Sequence, residues 1–327
     1  MKKSLKNTIF TSAVMAIVSG TAFGSIKNIE NPLYMPSSGD FYSKTGAGIM
    51  YKKADRTTAI KNKGLAGSND FPVWRFTEDM GYGITDKLSI NGRFGWTQDD
   101  DINRKGMHRG RVGLLYRLFD DGYGFVWDVY SDAYLSGITP MKASVTLSMP
   151  PATPDFTFKN YSNGRWGVYG GTRFGKTWSR FTASGFFEYL QTFGNHNNEI
   201  EITGIMNDEI SVDLKSTHEI NFGISGFYQM SQRWSGGLTL EFNEHSDNGL
   251  KSVHGIHDPS FDSFAKQYAN MNDGWQEYII KFVLSNQITD YTQISWFLEY
   301  TCDRAHDNSQ NGTDVKMESG FRINFQF

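Results

Sequence analysis

The thirteen residues from Val315 to Phe327 alternate in character without a break. One parity holds Val315, Met317, Ser319, Phe321, Ile323, Phe325 and Phe327, and the other holds Lys316, Glu318, Gly320, Arg322, Asn324 and Gln326. A repeat of two places successive side chains on opposite faces of a β-strand. A strand this long, aromatic on one face and charged on the other, fits hydrocarbon outside and water inside, and so predicts a transmembrane β-barrel. No run of eighteen apolar residues is present, which excludes a helical span. Aromatic residues make up 15% of the chain, and interfacial girdles account for the excess.

Alternating runs of about ten residues, the length a tilted strand needs to cross a bilayer, recur twelve times between Phe41 and Phe327. Short breaks such as Thr85 to Lys87 and Trp178 to Arg180 alternate with long ones, as expected for short periplasmic turns and long extracellular loops. The longest loops are 135–164, 194–216 and 245–274. Two stretches inside them, Lys142 to Met149 and Glu199 to Leu214, have strand character. They form hairpins above the membrane in a twelve-stranded reading and raise the count to fourteen in the alternative. All eight prolines avoid strand interiors, as residues that cannot donate to a ladder must. The predicted fold is an all-β antiparallel meander barrel spanning residues 41–327.

At the other end, Lys2, Lys3 and Lys6 precede an apolar run from Ile9 to Val18 and a small-residue segment ending at Gly24. This predicts a cleavable secretory signal peptide over residues 1–24. Its removal takes three lysines from 32 basic residues and leaves 29 against 35 acidic ones, a net charge of −6. Mild acidity argues against nucleic-acid binding. Cys302 is the only cysteine, so no internal disulfide forms. Residues 25–40, with Pro32 and Pro36 and no alternation, read as a periplasmic N-terminal lead-in that could equally tuck into the barrel mouth.

An amphipathic last strand closed by a terminal Phe resembles the C-terminal insertion signal of Gram-negative outer-membrane barrels. The resemblance implies an integral outer-membrane location, contact with outer-membrane lipid and lipopolysaccharide, and recognition of the Phe327 strand by the barrel assembly machinery. It carries over no functional residue. Basic residues of the outer rim such as Lys61, Lys63, Arg104, Lys105 and Lys251 would reach lipopolysaccharide phosphates, or simply solubilise the loops.

Parity divides each strand into a lipid face and a lumen face. The lipid face is apolar nearly throughout, as with Trp74, Phe76, Met80 and Tyr82. Glu78 is the exception, for which a bulge or a covering partner subunit is the first explanation. Strands of the first half point Lys44, Lys52, Arg75, Arg93, Arg109, Arg111, Arg117, Arg165 and Arg173 inward, against Asp79, Asp128 and Asp132. Those of the second half point inward Glu188, Glu219, Glu241, Glu277, Glu299 and Glu318, against Lys281, Lys316 and Arg322. A meander turns this into a basic wall facing an acidic wall, similar to the constriction of general porins, and charged walls are how pores select solutes. The expected function is a porin-like channel for passive diffusion of small hydrophilic solutes, not an enzyme. Alternatives are an outer-membrane enzyme or a structural and adhesion barrel with a plugged lumen. Glycines of lumen parity, among them Gly46, Gly48, Gly81, Gly171 and Gly223, read as open space for water, or as relief of twist in a small barrel.

Candidate chemistry is sparse. His245 and Ser246 loosely resemble the phospholipase pairing, but adjacent residues point to opposite faces. Asp99 to Asp101 and His306-Asp307 depart from the protease pattern of paired acids, and hydrated loops are the simpler reading. His254, His257, Asp258 and Asp262 have the chemistry of a divalent-metal site, and Asp99 to Asp101 that of a calcium site, but loop acids and histidines commonly cluster without metal. No metal and no cofactor is expected.

Overall fold

In the computed structural model the described residues are 28–54, 73–99, 104–137, 143–146, 155–158, 166–203, 208–247, 250–254, 273–305 and 313–327. They contain no helix. The strands are β1 (Phe41–Ala54), β2 (Val73–Thr85), β3 (Leu88–Asp99), β4 (Arg104–Asp120), β5 (Phe125–Gly137), β6 (Ala143–Thr146), β7 (Asp155–Phe158), β8 (Trp166–Trp178) and β9 (Phe181–Thr192). They continue with β10 (Asn195–Thr203), β11 (Asp208–Leu214), β12 (Thr217–Gln229), β13 (Trp234–Asp247), β14 (Leu250–His254), β15 (Asp273–Gln287), β16 (Thr292–Ala305) and β17 (Thr313–Gln326).

Twelve of these close into one antiparallel barrel in the order β1-β17-β16-β15-β13-β12-β9-β8-β5-β4-β3-β2. The closing seam pairs β1 with β17 from Tyr42↔Gln326 to Ala54↔Asp314, and the Phe41 and Phe327 backbones exchange both hydrogen bonds at 2.9 Å. The remaining five form a second sheet, β14-β11-β10-β7-β6. Its register continues that of the barrel wall beneath it. Thr192 opposes Thr217 in the barrel and Asn195 opposes Leu214 above it, while Leu135↔Trp166 leads into Ala143↔Phe158. The two loop stretches with strand character therefore extend the barrel hairpins upward, and the membrane-spanning count stays at twelve.

The barrel is inverted relative to a water-soluble core. Leu114, Ile224, Leu238, Ile280 and Phe321 stand exposed on the outside, while Asp128, Asn324, Ser89 and Ser235 are fully buried within. An apolar exterior around a closed ladder is what a bilayer demands, since hydrocarbon satisfies no backbone polar group. Glu78 does face outward, but the register runs through it from Thr45 to Phe94 without a shift, so the bulge explanation fails. Its carboxylate instead accepts hydrogen bonds from the outward hydroxyls of Ser43 and Thr45 on β1.

The lumen glycines open no space. Tyr42↔Gly81, Tyr130↔Gly171, Phe186↔Gly223, Phe227↔Gly237 and Phe297↔Gly320 are direct cross-strand pairs. At Gly81, Gly171, Gly223 and Gly320 the inward ring lies in the space a Cβ would take, and at Gly237 the Phe227 ring is in van der Waals contact with that space. A ring covering a glycine on the neighbouring strand is a known means of stabilising curved sheets. The glycines thus let aromatic rings lie flat along a narrow interior wall.

A Cβ at Gly171 would stand 2.6 Å from the Phe187 carbonyl oxygen and 2.8 Å from the Tyr130 ring. Gly171→Ala is expected to cost about 1–3 kcal/mol by overpacking, measured as a lower urea midpoint for the refolded barrel in detergent. An unchanged midpoint would contradict the ring-over-glycine account.

Candidate functional site

The segment from Asn28 to Asp40 enters the barrel at the end bearing the short turns. It bends through two consecutive Asn-based turns. The Asn28 side chain accepts the Glu30 N–H, and the Asn31 side chain accepts the Leu33 N–H, both at 2.9 Å. Asn and Asp side chains close such turns by imitating a backbone carbonyl. Ile29 and Leu33 are buried. Gly83 is needed where the segment meets β2, because Gly39 N–H donates to its carbonyl and its own N–H donates to the Asp40 carbonyl, and a Cβ there would strike the Ser37 carbonyl.

Small polar side chains of lumen parity make room for the segment. Ser235, Ser285 and Ser295 are fully buried. Asn28 donates to Ser235 Oγ at 2.8 Å and accepts from Gln293 at 3.1 Å, and Asn31 donates to Thr182 Oγ1 at 3.0 Å. Three charged clamps complete the attachment. Arg117 donates to the Leu33 carbonyl at 2.9 Å. Arg173 donates to the carbonyls of Pro32 at 3.0 Å and Tyr34 at 2.7 Å. Asp128, fully buried, accepts from both arginines at 2.9 Å and so fixes their forks. The third clamp is Glu30, which receives Asn324 Nδ2 at 3.0 Å and stands 3.6 Å from both Lys44 and Arg322. Burial alone would raise the Glu30 pKa, but Lys44, Arg322 and Asn324 together hold it below the ordinary carboxylate value.

Above this floor lies a cavity of about 800 Å³, bordered below by Pro32, Tyr34 and Pro36. Of the lumen charges expected from sequence, Arg75, Arg93, Arg111, Asp132, Glu188, Glu219, Glu241, Glu277, Glu299 and Glu318 border it. Arg117, Asp128 and Arg322 instead bind the N-terminal segment, and Arg173 does both. The Arg109 side chain and Arg165 fall outside the described residues, as does the Lys52 side chain.

The two walls are largely neutralised from within. Arg75 pairs with Glu318 at 2.6 Å across β1, Arg93 pairs with Asp79, Lys281 with Glu241 at 2.6 Å, and Lys316 with Glu277 at 3.3 Å. Sequence parity missed the aromatic arc of Tyr130, Tyr134, Tyr169 and Phe186, which shares the cavity with these charges. The signal was present as inward aromatics facing inward glycines. The serine floor was likewise signalled by small polar residues of lumen parity beside several short turns, among them Ser89, Thr182, Ser235, Ser285 and Ser295.

His245 is buried in the upper wall with Nδ1 3.2 Å from Glu219 and Nε2 3.2 Å from Glu277, whereas Ser246 Oγ accepts the His218 N–H on the opposite face. The two form no nucleophile–base pair. Asp100, Asp101, His257, Asp258, Asp262, His306, Asp307, Lys61 and Lys63 lie outside the described residues, and the side chains of Asp99, Arg104, Lys105, Lys251 and His254 are likewise not described.

No protein-family model and no curated protein sequence matches the chain. Solved structures do resemble it. An outer-membrane channel from Pseudomonas putida F1 superposes with a TM-score of 0.51 at 12% identity, over 94% of this chain and 100% of that one. The toluene transporter TbuX of Ralstonia pickettii superposes with a TM-score of 0.50 at 12% identity, over 94% and 96%. The fold is that of Gram-negative outer-membrane β-barrels.

Removing one partner of a buried charge cluster strands the others at a cost of about 3 kcal/mol or more. Asp128→Asn is therefore expected to lower the urea midpoint of the refolded barrel clearly and to expose the N-terminal segment to protease. A midpoint and cleavage pattern like the parent's would show that the arginine clamps do not need it.

Proposed function

We propose that the chain is an outer-membrane channel for small solutes, with a water-filled well whose periplasmic end is closed by residues 28–36. The observation that carries this reading is the 800 Å³ cavity inside a closed barrel, ending on a separate, tethered piece of chain. A barrel built only as a scaffold has no need of such a cavity, and its interior would be packed by its own side chains. A floor made of a discrete segment, attached through side chains rather than by a strand ladder, can leave without opening the barrel.

Charged pairs on the lumen wall keep the well hydrated, and the aromatic arc offers apolar surface beside them. That combination supports polar solutes bearing a planar or apolar part. The cargo in the name of the Ralstonia transporter is a hydrocarbon; the ion pairs of this lumen favour a polar solute over one that lacks any hydrogen-bonding group, because their water would have to be displaced without replacement.

Glu30 carries the sign of the pH response. Its depressed pKa means that the tether is fully formed above the unfolded carboxylate pKa of about 4 and is lost only as pH falls through the lower folded value. Wild-type conductance in planar bilayers is therefore expected to stay low and constant from about pH 8 to about pH 5. Glu30→Gln should raise the open probability at neutral pH severalfold, and deletion of residues 28–36 should give a steady open state. A deletion variant that folds by heat-modifiability yet stays silent would overturn the channel reading.

A further inference from the structure

We propose that the Glu30 side chain occupies, from within the chain, a binding site for small carboxylates, and that a solute of this class displaces it from Lys44, Arg322 and Asn324 and so loosens the floor. The inference deepens the channel reading and rests on it for the route a solute takes.

The three groups come from the two strands of the closing seam. Lys44 on β1 is the direct cross-strand partner of Asn324 on β17, and Arg322 lies two residues along β17, on the same face of that strand. The register alone thus gathers an ammonium, an amide and a guanidinium around one point of the lumen. Asn324 Nδ2 donates to the Glu30 carboxylate at 3.0 Å. Lys44 Nζ and Arg322 Nη1 each stand 3.6 Å from Glu30 Oε2, close enough for an ion pair but too far for a hydrogen bond. Glu30 is therefore held by one amide and by the charge of two cations whose N–H groups it does not reach. Its backbone is fixed by the turn that the Asn28 side chain closes on the Glu30 N–H. A free carboxylate has no such restraint and can settle between both cations, with charge-assisted bonds of about 2.7–2.9 Å.

Other acids do not fill the site. Asp79 acts electrostatically on Lys44, but both of its oxygens accept from Arg93. Arg322 rests 4.5 Å over the Phe297 ring, a contact that positions the guanidinium without a competing carboxylate. A solute reaches the site through a second cavity of about 260 Å³, bordered by Glu30 and Lys44, which shares Tyr42, Arg93, Arg111 and Arg173 with the well. The Lys44 and Arg322 side chains are 19% and 31% exposed, against 5% for Glu30. An incoming anion can therefore approach the cations while the resident carboxylate is still in place. A neutral solute brings no charge with which to compete.

Propionate is the Glu30 side chain in free form, and propionamide is its neutral analogue. The test is calorimetric titration of both into the refolded full chain and into Glu30→Gln in detergent, at an ionic strength held constant with chloride. Propionate is expected to bind Glu30→Gln saturably and about tenfold more tightly than it binds the parent, where only the displaced fraction of molecules offers the site. Propionamide is expected to bind neither. Adding Lys44→Met or Arg322→Met to Glu30→Gln should weaken propionate about tenfold. In the parent, propionate should speed proteolysis of residues 28–36 severalfold beyond an equal concentration of chloride. No propionate binding to Glu30→Gln, equal affinity in parent and variant, or matching propionamide binding would overturn the site, and this comparison stands even where a Lys44 or Arg322 variant fails to fold. Propionate that binds without changing proteolysis would overturn the displacement. Conductance separates all of this from the channel reading: competition in a chain that stays silent after deletion of residues 28–36 leaves the site standing and sinks the channel, whereas a conducting deletion variant with no propionate competition does the reverse.

Discussion

Every backbone amide and carbonyl that crosses hydrocarbon must find its partner inside the protein, and in this chain the pairing of β1 with β17 is what makes that possible. Until that seam closes, two strands present unpaired edges to lipid. Once it closes, each residue has one outward and one inward neighbour direction, and all else is a consequence of which side chains fall on which side. The outward set is apolar enough for a bilayer, and its mid-strand carboxylate Glu78 is supplied with hydroxyls from the adjacent strand. The inward set then has only the lumen in which to resolve its charges and its bulk.

It does so in layers. Beside the short turns, serines and threonines leave room for the segment from Asn28 to Pro36, and Arg117, Arg173 and Glu30 hold its polar groups where no strand ladder could. Across the middle, rings lie over glycines, and charged pairs knit neighbouring strands. Above, the wall leads into a five-stranded sheet whose pairs Asn195↔Leu214 and Ala143↔Phe158 keep the register of the barrel. The outcome is a well whose floor is a discrete segment of chain held by side chains of the barrel wall.

The architecture was legible because period-two alternation is strong in every spanning strand, as in Val315 to Phe327, and because short turns and proline positions fix the count. Among the described residues, the inward facing of charges such as Arg75, Arg111, Glu241 and Glu318 was legible for the same reason. Their roles were not. Parity says that Arg117 and Arg322 point inward, but only the path of residues 28–36 makes them clamps, and that segment has no periodicity to announce where it goes. The glycines misled because a missing side chain looks like space until its cross-strand partner is known. Tyr130↔Gly171 is plain in the register and invisible in the linear order.

The most direct test of the movable floor is to lock it. Asn31 and Thr182 are joined by a side-chain hydrogen bond of 3.0 Å, so a disulfide between Asn31→Cys and Thr182→Cys, in a chain also carrying Cys302→Ser, would fasten the segment to β9. Single-channel conductance would be recorded before and after reduction in the same bilayer. The account predicts a silent oxidised barrel that conducts once the disulfide is reduced. Equal conductance in the two states would contradict it, and would mean that solutes do not pass where residues 28–36 now lie.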